Sequence, residues 1–215
     1  MSANGTEKKR GKFIVFEGID GCGKTTHAGL LCDYVAKKTG HGCLLEREPD
    51  SRDLIGAIIR TALYGGVKFL PETMAYLHVA DRLEHIGYML PLLEKGHNIV
   101  CDRYYISNMA YNAGESLTPR DIYELNRPCA EKLNPDAVIF LDVSPEETRA
   151  RREAERTDRE LYDAAEKQRR IRKNYIKALE IVESEGVRVF RIDASRAKEE
   201  VAADIRKAAD MVFAD

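Results

Sequence analysis

The stretch Phe13–Thr25 limits this chain more than any other. Phe13-Ile14-Val15-Phe16 is a short apolar run, and Gly18-Ile19-Asp20-Gly21-Cys22-Gly23-Lys24-Thr25 follows it with the spacing G-x-x-x-x-G-K-[ST]. Beyond Thr25 the apolar residues Leu30, Leu31, Tyr34 and Val35 recur at helical intervals. A buried strand, a glycine loop and a helix N-terminus in that order turn successive backbone N–H groups toward one point, where a polyphosphate fits. Lys24 then reaches the β- and γ-phosphates, and Thr25 offers its hydroxyl to Mg²⁺. A mere turn between strand and helix would have no need of the Lys-Thr pair.

The rest of the chain repeats the alternation of strand and helix. Strands are expected at Lys12–Glu17, Cys43–Arg47, Asn98–Asp102, Ala137–Asp142 and Val187–Ile192. Helices are expected at Lys24–Thr39, Asp53–Leu63, Pro71–Glu94, Pro119–Cys129, Pro145–Glu185 with a break, and Lys198–Phe213. Strands separated by helical crossovers pair in parallel, giving a three-layer α/β fold of the P-loop NTPase kind with five parallel strands flanked by helices. Ligands of such sheets collect at the carboxyl ends of the strands. Residues 1–11 are polar and basic and read as a flexible tail, leaving 12–215 as one domain.

Charge and cysteine content remove other classes. Lys and Arg number 34 against 36 Asp and Glu, a net charge of -2, which argues against a dedicated nucleic-acid or membrane-surface protein. No apolar run approaches membrane-spanning length. Five cysteines without a C-x-x-C pair fit a reducing, cytoplasmic setting. Cys22 lies inside the phosphate loop, where a small residue fits.

Four further clusters carry chemistry. Ile99-Val100-Cys101-Asp102-Arg103-Tyr104 ends an apolar strand in a carboxylate and a guanidinium. Asp102 can support the Mg²⁺ shell and Arg103 can grip a phosphate bidentately. Glu46-Arg47-Glu48-Pro49 ends another strand and offers Arg47 as a second phosphate ligand, with Pro49 biasing Glu48 toward an extended backbone. On the helix Pro71–Glu94, Met74, Leu77, Leu83 and Ile86 read as buried. His78, Asp81, Arg82 and His85 share a polar face, readable as solvated, as a metal site on the two histidines, or as a nucleobase site using His78 and Arg82. Finally Arg149, Arg151, Arg152, Arg156 and Arg159 cluster after the strand Ala137–Asp142, as in a mobile lid near 149–163 that closes over transferring phosphates.

Together these motifs resemble the thymidylate kinase family over nearly the whole chain, from about Lys12 to Phe213. The specific parts are Phe16–Thr26, Arg47-Glu48-Pro49, Ala80-Asp81-Arg82, and Asp102-Arg103-Tyr104 with Ser107 and Ala110-Tyr111. The resemblance implies transfer of the γ-phosphoryl of ATP to dTMP with Mg²⁺. It implies that Gly18 to Thr26 cradle the ATP phosphates, with adenine near Arg151 and Asp193-Ala194-Ser195. Arg47 and Arg103 would hold the acceptor phosphate, and Asp20 would lie near the acceptor and the metal. Arg82 would meet thymine, and Asn108 and Tyr111 would line the base and sugar pocket, Tyr111 excluding a ribose 2′-hydroxyl. With Gly21 where other members place a basic residue, the resemblance assigns the catalytic arginine to the lid, at Arg152, Arg156 or Arg159. It also implies a homodimer packed through helices such as Pro71–Glu94.

The chain departs from the family pattern in three places. Pro49 is followed by Asp50-Ser51-Arg52 rather than Gly-Gly-Thr, so that Arg52 would add a phosphate contact or cap the next helix. His78 replaces a stacking Phe, which keeps a kinase for another pyrimidine monophosphate, such as dUMP or a modified base, as an alternative. Glu160 and Asp163 flank the usual place of a lid acid. A GTPase-like switch is disfavoured because no Asn is followed by Lys. A nucleoside kinase would need a carboxylate base such as Glu17 or Glu48. A non-catalytic P-loop protein would have no use for Lys24, Thr25, Asp102 and the lid arginines together.

Overall fold

The computed structural model describes residues 9–50, 52–150 and 158–214, with the side chains of 149–150 and 158–165 left aside. Five strands alternate with eight helices among the described residues. They run β1 (Phe13–Glu17), α1 (Lys24–Thr39), β2 (Cys43–Arg47), α2 (Leu54–Leu63), α3 (Pro71–Glu94), β3 (Asn98–Asp102) and α4 (Tyr105–Asn112). Then come α5 (Pro119–Lys132), β4 (Ala137–Asp142), α6 (Pro145–Ala150), α7 (Asp158–Ser184), β5 (Val189–Asp193) and α8 (Lys198–Ala214). All strand pairs are parallel, in the order β2-β3-β1-β4-β5. The three inner strands are buried along almost their whole length, while the edge strands β2 and β5 are largely half-buried or exposed. That is why Phe13–Phe16 and Ala137–Leu141 are unbroken apolar runs: helices cover both of their faces.

Register decides what the carboxyl edge displays. Phe16 and Arg47 both pair with Asp102. Glu17 and the phosphate loop therefore emerge beside Asp102 and Arg103, with Arg47 on the far side of β3. Around β1 the order of strands reverses, opening the crevice in which α/β sheets bind ligands.

The expected elements appear with small shifts. β5 begins and ends later than expected, and α5 runs to Lys132 rather than ending at Cys129, with Leu133 N donating to the Cys129 carbonyl at 2.9 Å. α4 was not expected. Its N-cap, Tyr104, makes no side-chain cap hydrogen bond, so the usual local sign of a helix start is missing. On α1, Leu30 is exposed while Lys24 and His27 are buried. Ordered contacts reach back to Arg10, which pairs with Asp136 at 3.0 Å, and to Gly11, whose amide donates to the Leu93 carbonyl.

α3 buries Ile86, as expected, and most of its charged face as well. Asp81, Arg82 and His85 are buried at 0–1 % exposure, whereas Tyr76 and Tyr88 on the same helix stand 60 % and 44 % exposed. The solvated reading of this face fails: Asp81, Arg82 and His85 point inward, because their charges compensate one another and those of the β2–α2 connection. The same connection sits tightly on α2: a Cβ at Gly56 would lie 1.7 Å from the Asp50 carbonyl oxygen and 2.9 Å from Asp81 Oδ1. We expect Gly56→Ala to lower stability by about 2–3 kcal/mol through overpacking, measured by urea unfolding; an unchanged midpoint would show that the connection can retreat.

Candidate active site

The phosphate loop needs glycine where it turns. Gly18 (φ 145°), Gly21 (φ 83°) and Gly23 (φ 97°) all lie at positive φ. At Gly18 a Cβ would also meet the Leu141 carbonyl oxygen at 2.7 Å and Cys22 Sγ at 2.8 Å. Cys22 and Ile19 are buried beneath the loop. Lys24 is buried as well, and its ammonium donates to the carbonyls of Gly18 (2.8 Å) and Ile19 (2.9 Å). Burial, reinforced by the charge of Arg103, holds its pKa below the ordinary lysine value.

Facing the loop, Thr25 Oγ1 donates to Asp102 Oδ2 at 2.6 Å, and Asp102 Oδ1 is buried without a hydrogen-bond partner. A hydroxyl oxygen and a carboxylate oxygen at the mouth of a phosphate loop are hard donors of the kind that would hold a small divalent cation, Thr25 and Asp102 supplying them here. Asp20, Gly21, Gly23, Lys24, Thr25, Thr26, Arg47, Asp102 and Arg103 line one cavity of about 260 Å³. The structure thus gathers the expected phosphate-loop residues, the strand-end acid and both expected acceptor arginines around a single space.

Arg103 is held from several sides. Its backbone is left-handed (φ 79°), a conformation costing a non-glycine residue about 1–2 kcal/mol. The sheet enforces it, since Arg103 N donates to the Phe16 carbonyl at 2.9 Å. Its guanidinium pairs with Asp20, donates to Tyr111 Oη (3.2 Å), Ser107 Oγ (3.1 Å) and Tyr175 Oη (3.4 Å), and stacks 4.8 Å from the Tyr111 ring centre. Arg47 is exposed, and its side chain makes no hydrogen bond or ion pair among the described residues.

The expected base-binding residues lie between α3 and α4. Asn108 is buried; its amide donates to the Ala75 carbonyl (3.1 Å) and accepts from Asn112 Nδ2 (2.8 Å). The partly buried His78 has Nδ1 2.8 Å from the Met74 carbonyl oxygen, which requires the proton on Nδ1 and leaves Nε2 as an acceptor. Burial, with Arg82 nearby, lowers its pKa to about 4, so the ring is neutral near pH 7. Arg82 is tied more firmly than its expected role requires. It pairs with Glu48, donates to Asn126 Oδ1 and lies 5.0 Å from the Tyr104 ring centre. Glu48 is thereby committed to Arg82, and Pro49 lines the neighbouring β2–α2 pocket.

Arg52 takes neither role expected of it. It bridges Glu46 (2.7 Å) and Asp50 (2.8 Å) and stacks 4.0 Å from the Tyr88 ring centre, while Asp53 caps α2 by accepting from Gly56 N at 2.7 Å. The histidine metal site is also corrected. His85 sits between Glu46 (3.1 Å) and Glu48 (3.4 Å); burial alone would lower its pKa, but these two carboxylates raise it to about 9. A doubly protonated ring has no lone pair to give a metal. No group of three His, Cys, Asp or Glu side chains among the described residues is arranged to hold a metal ion.

Ala194 lies just past β5, its amide donating to the Asp142 carbonyl at 2.8 Å. Arg151, Arg152 and Arg156 lie outside the described residues. Arg159 falls in the first turn of α7, where side chains are left aside. Sequence reasoning quoted Glu46 within a strand-end cluster without a role, passed over Asn126 and Tyr175, and gave Glu17 a role only as a base. Glu17 is in fact buried and saturated, with Tyr104 N (2.9 Å), Ser107 N (3.1 Å), Ser107 Oγ (2.6 Å) and Tyr175 Oη (3.1 Å) all within hydrogen-bond distance.

A phosphate loop after β1, an acid closing the adjacent strand and two arginines facing the same cavity make this a P-loop phosphotransferase of the nucleoside monophosphate kinase class. The family model for thymidylate kinase matches residues 16–205. Similar proteins include a thymidylate kinase of Pelotomaculum thermopropionicum, 38 % identical with 95 % of each chain covered. A probable thymidylate kinase of Pyrococcus abyssi is 35 % identical, covering 91 % of this chain and 94 % of its own. A thymidylate kinase of Akkermansia muciniphila is 34 % identical, covering 98 % and 97 %. The chain belongs to the thymidylate kinase family.

The His85 cluster makes stability depend on pH. A histidine whose pKa rises from about 6.5 unfolded to about 9 folded stabilises fully below pH 6.5 and loses that contribution as pH climbs through 9. We expect the stability gap between the parent protein and His85→Gln, read from urea midpoints, to shrink from pH 6 to pH 9.5. A gap constant over that range would mean that His85 is neutral.

Proposed function

We propose that the chain transfers the γ-phosphoryl group of ATP to dTMP, giving ADP and dTDP, by direct in-line displacement. The observation that carries this reading is the single cavity shared by Lys24, Thr25, Asp102, Arg47 and Arg103. On this reading the loop Gly18–Thr26 cradles the donor phosphates and Lys24 reaches the β- and γ-oxygens. Arg47 and Arg103 hold the acceptor phosphate, and Asp20 orients Arg103. Thr25 and Asp102 would hold Mg²⁺, which when bound neutralises charge building on the transferring group. An acceptor phosphate is already a nucleophile, so the residues need to align and neutralise rather than remove a proton. The saturation of Glu17 and the pairing of Glu48 with Arg82 count against a nucleoside acceptor, whose hydroxyl would need one of them as a base.

His78, Arg82, Asn108 and Tyr111 form the base and sugar pocket on this reading, with adenine near Arg151 and Ala194. A lid near 149–163 in the single domain 12–215 supplies Arg152, Arg156 or Arg159 to the transition state. An isologous homodimer is supported by the exposed apolar side chains of α2, α3 and their connection, among them Leu54 (76 %), Tyr64 (87 %), Leu70 (69 %) and Tyr76 (60 %). Five free thiols among the described residues fit a cytoplasmic setting. No helix among the described residues is long and apolar enough to cross a membrane.

The test is ADP release with ATP and Mg²⁺ against dTMP, dUMP, dCMP, dGMP, UMP and thymidine. Preference for dTMP is expected. Preference for another monophosphate would keep the mechanism and place His78 first for substitution, whereas turnover of thymidine alone would overturn the roles of Arg47 and Arg103. Lys24→Ala should abolish transfer with circular dichroism unchanged. Arg103→Ala should raise KM for the monophosphate on the order of a hundredfold, far more than KM for ATP.

A further inference from the structure

Tyr175 is a side chain that the proposed reaction does not use. It lies on α7, the helix that leads away from the lid region, and is completely buried. Its neighbour Asn174 fixes α7 on α4 by donating to the carbonyls of Ala110 (3.1 Å) and Ala113 (3.3 Å). The ring packs against Tyr111, centres 6.1 Å apart at 89°, and against Phe140 at 5.5 Å. A phenylalanine would fill this space equally well, so the hydroxyl is what needs explaining.

That hydroxyl lies 2.8 Å from Ser107 Oγ, 3.1 Å from Glu17 Oε2 and 3.4 Å from Arg103 Nη1. A hydroxyl has one proton to donate and two lone pairs. Arg103 can only donate, so its N–H points at the oxygens of Tyr175 and Ser107; these two hydroxyls share two protons among their mutual contact and Glu17, so one gives its proton to the other and the other gives its own to Glu17. The direction of the chain is therefore fixed: guanidinium to hydroxyls to carboxylate. Each hydroxyl that gives its proton onward becomes a better acceptor for Arg103. Asp20 and Tyr111 hold the other terminal nitrogen, Nη2. The Nη1 side is held by Ser107 and Tyr175 alone among the described residues.

We propose that Tyr175 is a positioning residue for the acceptor phosphate, its hydroxyl setting the Arg103 guanidinium from the lid-bearing helix α7. The proposal rests on Arg103 holding that phosphate, and the experiment separates the two. Arg103→Ala, Tyr175→Phe and the double variant are compared with the parent by KM for monophosphate and for ATP, kcat and thermal midpoint. Tyr175→Phe should raise the monophosphate KM about tenfold, leave the ATP KM within about twofold and lower the thermal midpoint by a few degrees, because the network on buried Glu17 loses a donor. In the double variant the tyrosine change should add nothing to Arg103→Ala. Unchanged kinetics, an equal rise in both KM values, or additive effects would overturn the role of Tyr175. If Arg103→Ala spares the monophosphate KM, the reading of Arg103 fails first. Should Tyr175→Phe not fold, Ser107→Ala removes the other acceptor of Nη1 and must show the same selective rise, or the proposal falls.

Discussion

Much of this site is organised by the buried carboxylate of Glu17. It closes β1 directly before the phosphate loop, and the four donor groups around it come from the corner after β3, from α4 and from α7. A buried carboxyl left unsatisfied would be costly, so these segments are fixed to one another by the need to supply donors. Burial still pushes its pKa above the ordinary range, and the hydrogen bonds and the charge of Arg103 oppose that push. By accepting from Tyr104 N and Ser107 N it also serves α4 as the cap that Tyr104 does not provide. The strained backbone of Arg103 sits between that anchor and the sheet ladder, which together hold it in place.

That arrangement explains which parts of the structure were legible in the sequence. β1, β3 and β4 could be read almost to the residue, because strands covered on both faces must be apolar runs and the glycine loop fixes where β1 ends. α4 could not be read, because its cap lies far away along the chain in Glu17. The phosphate loop, Asp102, Arg47 and Arg103 were legible because strand ends in a parallel sheet converge. Tyr175 gave no signal: a tyrosine on a charged amphipathic helix looks like any other core residue until the fold brings Ser107 to it.

α3 shows a different limit. Periodicity separates apolar from charged faces and assumes that charge means solvent. Here Arg82 and His85 are buried because Glu46 and Glu48 arrive from β2 and its connection to meet them. Burial of a compensated cluster depends on partners distant in sequence, and one helix's pattern cannot report it. Asp81 shows the residual cost. Burial, aided by the nearby Glu48 charge, raises its pKa to about 7, although it accepts from Asp50 N.

The pairing of charges behind the site bears on its chemistry. Glu46, Glu48 and Asp50 are matched by Arg52, Arg82 and His85, so the β2–α2 region projects little net field of its own. Lys24 is hydrogen-bonded to neutral carbonyls, and Arg47, at the edge of the cavity, has no acidic partner among the described residues. Positive charge is thus compensated where it would only hold the scaffold and left uncompensated where two phosphates would meet. In a partly enclosed cavity such fixed charges act at lower effective dielectric than in water. They also need no reorganisation when charge moves onto the transferring group. Arg103 is the intermediate case. On the proposed reading its pair with Asp20 would keep it aimed and leave part of its charge for the acceptor, so that its orientation, rather than its presence alone, would be the quantity the surrounding hydroxyls control.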